Sequence, residues 1–419
     1  MSVVEKATRL DSLAVPDGFA AQSRRGALER LTAMGLPGRR DEYWRWTNPT
    51  TLNAPEAAPA AVFRQDDSPV FGDLDRLKVV FVDGVFDADA SDDLALEGLE
   101  ICRLAVAPEG HWSAGFYGTL EEAGQVPVRR PFAALNTAAA TDGVLIRVTG
   151  RVAKPVHVIH LHESTTSDPI LHHCVKLEPG AELTLLESGT AGARFNGALE
   201  VEVAEGARFH HLRTQGIDPE RRAVTHIFAR VAREGLFKSF TLTVNGRLTR
   251  NECVLWLDGD DAVAHVAGAA LGDGDFHHDD TVFITHDALR GESRQVFKKV
   301  LKHGAVGVFQ GKILVKPGAQ KTDGYQISQA LLMDDDSQFL GKPELEIYAD
   351  DVKCSHGSTT GALDPTALFY LRSRGVPAEE ARALLVLSFL ADAIDEIEDE
   401  ALKDEIVARL EGWLARHRG

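Results

Sequence analysis

The chain has 419 residues, 44% hydrophobic and 26% charged, with a formal net charge of −18. That mass and balance provide for a large core and two or three domains, and they exclude a mainly disordered chain. The acidic excess speaks against nucleic acid as a partner, because a phosphate polymer draws a basic surface.

Met1 to Leu10 shows no long apolar run after a basic stretch. No window approaches the roughly 20 apolar residues of a membrane span, so no secretion and no membrane partner is expected. Phe19 to Met34 carries apolar residues at helical spacing, and Gly35 and Pro37 mark its stop. An aromatic cluster follows, Tyr43-Trp44-Arg45-Trp46-Thr47, and residues 49–75, rich in Pro, Ala and Asp, read as a surface connection. Lys78 to Val85 is a short β-like run.

From about Gly143 the texture becomes β-like, with short apolar runs broken every ten to fifteen residues by Gly, Asp or Asn. Glu178-Pro179-Gly180-Ala181-Glu182 recurs in shape as Ala204-Glu205-Gly206-Ala207-Arg208, and a third variant is Lys316-Pro317-Gly318-Ala319-Gln320. A sandwich, a barrel and a parallel β-helix all fit such a stretch; a near-repeat of one coil length favours the β-helix. After Asp351 the texture turns helical. Asp364 and Pro365 provide an N-cap and a first helical residue, and Gly375 a stop. Pro377 opens a second helix, Ala378 to about Ile397, and Leu402 to Trp413 forms a third. Residues 377–419 hold 11 acidic and 5 basic residues, a local net charge of −6.

Histidines crowd the β body. His160 and His162, two apart, would share one strand face, as metal ligands in β-barrel enzymes do. With His157, Glu163, His172, His173 and Cys174 nearby, a self-contained metalloprotein is one reading; satisfied strand histidines are the plainer one. His210-His211 and His277-His278-Asp279-Asp280 cannot chelate with both neighbouring rings of a regular strand and read as surface or interface residues. Gly272-Asp273-Gly274-Asp275 lacks the spaced ligands of a calcium loop and reads as a turn. The four cysteines, Cys102, Cys174, Cys253 and Cys354, form no CxxC pair and suit a reducing cytoplasm. No phosphate-loop, GxSxG or HExxH pattern occurs, so phosphate-loop ATPase, hydrolase-elbow and zincin readings have no support. Cys354 and His356, two apart, would face the same way and offer a thiol and an imidazole suited to iron or zinc; a buried thiol and a turn-capping histidine are the alternative.

Asp350-Asp351-Val352-Lys353-Cys354-Ser355-His356-Gly357 and Leu368-Phe369-Tyr370-Leu371-Arg372-Ser373-Arg374-Gly375 resemble the SufB/SufD family, scaffold subunits of the SUF iron–sulfur cluster assembly machine. Gly307 to Ile313, Ala319 to Asp323 and the Glu42 to Thr47 cluster share that resemblance. Cys-Ser-His-Gly at 354–357 and the chain length resemble the SufD branch. The resemblance implies a right-handed parallel β-helix at 141–356 between an N-terminal helical or mixed domain, 1–140, and a C-terminal helical domain, 357–419. It implies a non-enzymatic subunit that pairs with a SufB-type scaffold and docks a SufC-type ABC ATPase through its C-terminal helices. Leu368, Phe369, Tyr370, Arg372 and Arg374 are then docking candidates, and the acidic tail would complement a basic patch on the ATPase. His356 would help hold a transient cluster shared with SufB, with Cys354 accessory and no metal held by the isolated chain. The complex is associated with reduced flavin, but no motif here locates a flavin site. An exposed β-helix edge could also pair with itself, so a homodimer of the free chain stays open.

Overall fold

A computed structural model describes residues 7–62, 69–216 and 218–417. Part of the Met1–Leu10 stretch and part of the 49–75 connection therefore lie outside the described residues. The body is a parallel β-solenoid of two facing sheets, ten-stranded and nine-stranded among the described residues. From Val144–Val148 onward, successive strands alternate between the sheets, so two strands make one coil. Coil length follows from the register: Arg194 pairs with Arg222, and Arg222 with Leu248. Strands preceding residue 141 also belong to the solenoid. Leu77–Val82 pairs parallel with Val156–Leu161 in one sheet, and Leu99–Arg103 runs antiparallel to Val144–Val148 in the other.

One corner of every coil is built alike. A left-handed residue stands there in six successive coils: Gly180, Gly206, Glu234, Asp261, Arg290 and Lys321. Each donates its N–H to the carbonyl just before the corner residue of the next coil, as Gly180 does to Glu205 and Gly206 to Arg233, both at 2.9 Å. A small residue follows each, because the chain turns inward there onto the core. Lys316-Pro317-Gly318-Ala319 is out of step with this frame, since the left-handed residue of its coil is Lys321 and not Gly318. Between the sheets lies an apolar core of Val, Leu, Ile and Phe, including Val144, Ile146 and Val148 and, further along, Ile227, Leu255 and Ile284.

Helices cover both outer faces. On the nine-stranded sheet lie Ala21–Met34, closed by Gly35 at φ 69°, and Pro131–Ala139, which is buried throughout. The aromatic cluster is pinned to this face by a buried charged network. Arg250 lies over the Trp44 ring, donates to the Tyr43 carbonyl at 2.8 Å and to Glu252 at 2.7 Å, and pairs with Asp279. Thr47 donates to Asp279 at 2.5 Å. His277 and Asp279 face this network while His278 and Asp280 face the interior, where Lys299 Nζ meets both. Of the expectation that this His-His-Asp-Asp run lies at the surface or an interface, the surface alternative fails: one face is covered by the head and the other by the core.

On the ten-stranded sheet lie Ala378–Ile394 and Glu400–Arg416. Leu390, Ile394, Ile406, Leu410 and Trp413 bury against Leu212, Phe240, Leu242 and Leu271; at about 1.5–3 kcal/mol each, these side chains anchor the tail firmly. Three of the tail's eleven acidic residues meet a basic row on the sheet. Glu398 pairs with Lys238 at 2.8 Å, Asp392 with Lys298 at 2.8 Å, and Glu396 with His265 at 2.6 Å. No helix among the described residues is long and apolar enough to cross a membrane.

The tail latch carries a pH signature. Burial opposes ionisation of Glu396 and Glu398, but His265 and Lys238 for the first, and Lys238, His210 and Arg208 for the second, outweigh it and hold both carboxyls below their usual range. A depressed carboxyl stabilises fully above its unfolded value, near pH 4.3, and loses that contribution as pH falls through the folded value. Glu396→Gln should therefore exchange amide hydrogens faster in Glu400–Arg416 than the unaltered chain at pH 7. That difference should shrink as pH falls below the usual carboxylate range and vanish once the folded carboxyl is protonated.

Candidate functional site

The two ends of the solenoid differ. At the start, antiparallel Val85–Asp87 closes one sheet and Leu99–Arg103 the other. At the far end, Gln338–Ile347 and Lys353–Gly361 are the last strands of their sheets, and each keeps one edge without a neighbouring strand among the described residues. An open parallel edge presents unpaired N–H and C=O groups and acts as a template for another chain.

Cys354 and His356 stand on this last rung. In-register pairing stacks side chains of one parity into columns along the solenoid. Cys354 tops the column through Phe209, Phe237, Ala264, Ser293 and Gly324; His356 tops the column through His211, Ser239, Val266, Gln295 and Gln326. Lower members of both columns face the interior. The same parity brings Ser358 to 3.1 Å from Ser328, and a Cβ at Gly341 on the facing strand would meet Ser358. Cys354 and His356 are therefore interior positions of a rung that no further coil covers. His356 is exposed and Cys354 half-buried. Cys354 packs beside Ile313, Ala319 and Leu345, and Gly324 beneath leaves space for its sulfur. Burial pushes the Cys354 thiol above its ordinary pKa despite a backbone hydrogen bond from Gly324. A thiol so held is a poor thiolate near neutrality, whereas the imidazole needs no such ionisation to offer a lone pair.

The helix that follows, Pro365–Ser373, is capped by Asp364, which accepts from Thr366 N at 2.8 Å, and has no buried residue. Phe369 is 73% and Tyr370 54% exposed, and Arg374 lies over the Tyr370 ring. Arg372 is also exposed, while Leu368 and Leu371 are partly covered. The docking candidates thus share one short, bare helix a few residues beyond His356.

The upstream histidines separate into distinct environments. His157 lies on the outer face of its sheet, receiving Arg76 Nε at 3.0 Å and meeting Ser188 at 2.8 Å; burial lowers its pKa to about 3. His162 lies beyond the strand end and meets Asp218 at 3.0 Å, so it does not share a strand face with His160. His172, Cys174 and Glu200 cluster under the short helix Thr119–Ala123. Glu200 accepts the backbone N–H groups of Gly118, Leu120 and Glu121 at 2.6, 2.8 and 2.8 Å as well as His172 at 3.0 Å, which commits its lone pairs to capping that helix.

His160, His173 and Glu187 meet in the interior. Val144 N donates to His173 Nδ1 at 3.0 Å, so that ring carries its proton on Nε2 and has no lone pair for a metal. Glu187 is answered from within the chain by His211 at 2.9 Å and Arg213 at 3.8 Å. Sequence spacing missed Glu187, His211 and Arg213 as partners of this group, because a whole coil separates them from His160. Glu163 stays exposed in a turn, its N–H on Asp83.

A family model described as the SufBD core domain of SUF-system iron–sulfur cluster assembly matches residues 160–389. The chain is 28% identical to the iron–sulfur cluster assembly protein SufD of Escherichia coli, over 91% of this chain and 90% of that one. It is 26% identical to a SufBD family protein of Synechocystis, covering 91% and 88% of the two chains. It is 27% identical to SufD of Bacillus subtilis, covering 66% and 65%.

Proposed function

The chain belongs to the SufBD family of the SUF iron–sulfur cluster assembly system, and we propose that it serves there as a non-catalytic, SufD-like scaffold subunit in the cytoplasm. It pairs with a SufB-type subunit through the open last rung, and His356 lends an imidazole to a cluster that is cargo rather than resident cofactor. The observation that carries this reading is the coincidence of three features at one end of the molecule: two unpaired sheet edges, an exposed interior-row histidine, and a helix with no buried face. An imidazole at an open rung holds iron less firmly than a bridging thiolate, which suits a cluster that must leave. Cys354, half-covered and with a raised pKa, is accessory.

Docking of a SufC-type ATPase falls to Leu368, Phe369, Tyr370, Arg372 and Arg374. Exposed aromatics and arginines on a rigid helix are the side chains from which interface hot spots are made. The double variant Phe369→Ala/Tyr370→Ala should fold normally, keep the SufB-type partner and lose the ATPase by about 2 kcal/mol or more in affinity. Retention of the ATPase at full affinity in a binding titration would remove this helix from the reading. A free chain that dimerises would use the same open rung, and flavin, if it enters, does so at the level of the complex. The self-contained metalloprotein has less behind it: the His157–His173 group is divided among separate environments, and of its two convergent sets one includes a ring without a lone pair to give and the other a carboxylate committed to capping a helix.

A further inference from the structure

Directly beneath His356 in its column lies Gln326, in register on the neighbouring strand. Gln326 is 0% exposed. Its Nε2 donates to Gln295 Oε1 at 2.8 Å, and Gln295 Nε2 in turn reaches the Lys312 carbonyl at 3.5 Å. A backbone carbonyl only accepts, so it fixes which way Gln295 is turned and, through it, which way Gln326 is turned. The relay therefore runs in one direction. It leaves Gln326 Oε1 as its free acceptor end, buried and without a hydrogen-bond partner. A carbonyl left this way is costly to bury. The chain also makes room for it: a Cβ at Gly311, on the facing strand, would come within 2.2 Å of Gln326 Nε2. Only glycine at 311 lets this amide sit there.

We propose that Gln326 is a positioning residue for His356: its side-chain carbonyl, without a partner as the structure stands, accepts one ring N–H when the exposed imidazole turns down onto it, and so fixes the imidazole tautomer and orientation. This rests on the reading of His356 as a cluster ligand. Neighbouring strands of a sheet run about 4.8 Å apart, within reach of a glutamine and a histidine stacked in one column. A neutral imidazole has one N–H and one lone pair. With the N–H held by Gln326 below, the lone pair belongs to the other nitrogen, on the side of the open rung. A ligand histidine held through its second nitrogen binds metal more firmly and in one pose.

The test is nitrogen-15 NMR on the full chain labelled at histidine, with His356→Ala to assign the signal. His356 should show a single tautomer in the unaltered chain and a mixture of both in Gln326→Leu. In the complex with the SufB-type and SufC-type partners, Gln326→Leu should lower cluster loading about tenfold. A His356 that populates both tautomers in the unaltered chain overturns the proposal, even if Gln326→Leu fails to fold. So does a Gln326→Leu chain whose tautomer is unchanged. Full cluster loading in His356→Ala would instead overturn the ligand role of His356 and leave the tautomer result standing.

Discussion

His356→Ala, assembled with SufB-type and SufC-type partners, is expected to form the complex at full yield and to lose cluster loading by about tenfold or more. The complex should survive because His356 is exposed on the last rung and makes no hydrogen bond that holds the chain together. The loading should fall because removing a direct ligand costs at least what removing a supporting contact does, about 10- to 100-fold in metal affinity. Cys354→Ser should act more weakly. Its thiol is raised by burial and packed against Ala319 and Leu345, so its replacement should lower thermal stability more than cluster loading. Iron and sulfide measured per complex, beside the melting temperature of each variant, separate the two. An equal loss of loading in both would place the ligand role on the pair instead of on the histidine.

The second large effect concerns the head. Arg250→Ala is expected to cost about 3–5 kcal/mol of stability, because it leaves the buried Asp279 carboxylate without its cation, while Glu252 keeps Arg130 at 3.2 Å. Asp279 and Glu252 are both buried and both pair with Arg250, and their charges outweigh the burial that would otherwise push its guanidinium down. The same change removes the contact over Trp44 and the bond to the Tyr43 carbonyl. Arg233→Ala breaks pairs of the same type with Glu205 and Glu234, but at the surface, where water and salt screen them. It should leave the denaturant midpoint where it was. Equal midpoints for the two variants would mean that the head is held by its apolar contacts alone.

The helix ends were readable because their signals are local. Asp364, Pro365 and Gly375 bound a helix in sequence and bound it in space, as Gly35 does after Met34. The coil repeat was faint for a physical reason. Its corner needs a left-handed residue, and only Gly180 and Gly206 advertise one; Glu234, Asp261, Arg290 and Lys321 adopt the same conformation unannounced. Strand faces were blurred for another. Parallel strands covered on both sides read as nearly continuous buried runs, and Arg194–Val203 and Val306–Val315 are of that kind. His277, His278, Asp279 and Asp280 look like surface residues because they are charged, yet the head and the core each bury half of them. The Cys354–His356 spacing was legible, but the column that makes it an uncovered interior row was not, since that depends on which strand comes last.

The central claim, that this chain is a subunit of a larger scaffold, is tested most directly by weighing the assembly. Co-expressed anaerobically with SufB-type and SufC-type partners from the same source and measured by light scattering, it should elute as one copy of this chain, one SufB and two ATPases. A chain that elutes alone, with both partners present and folded, would contradict the account.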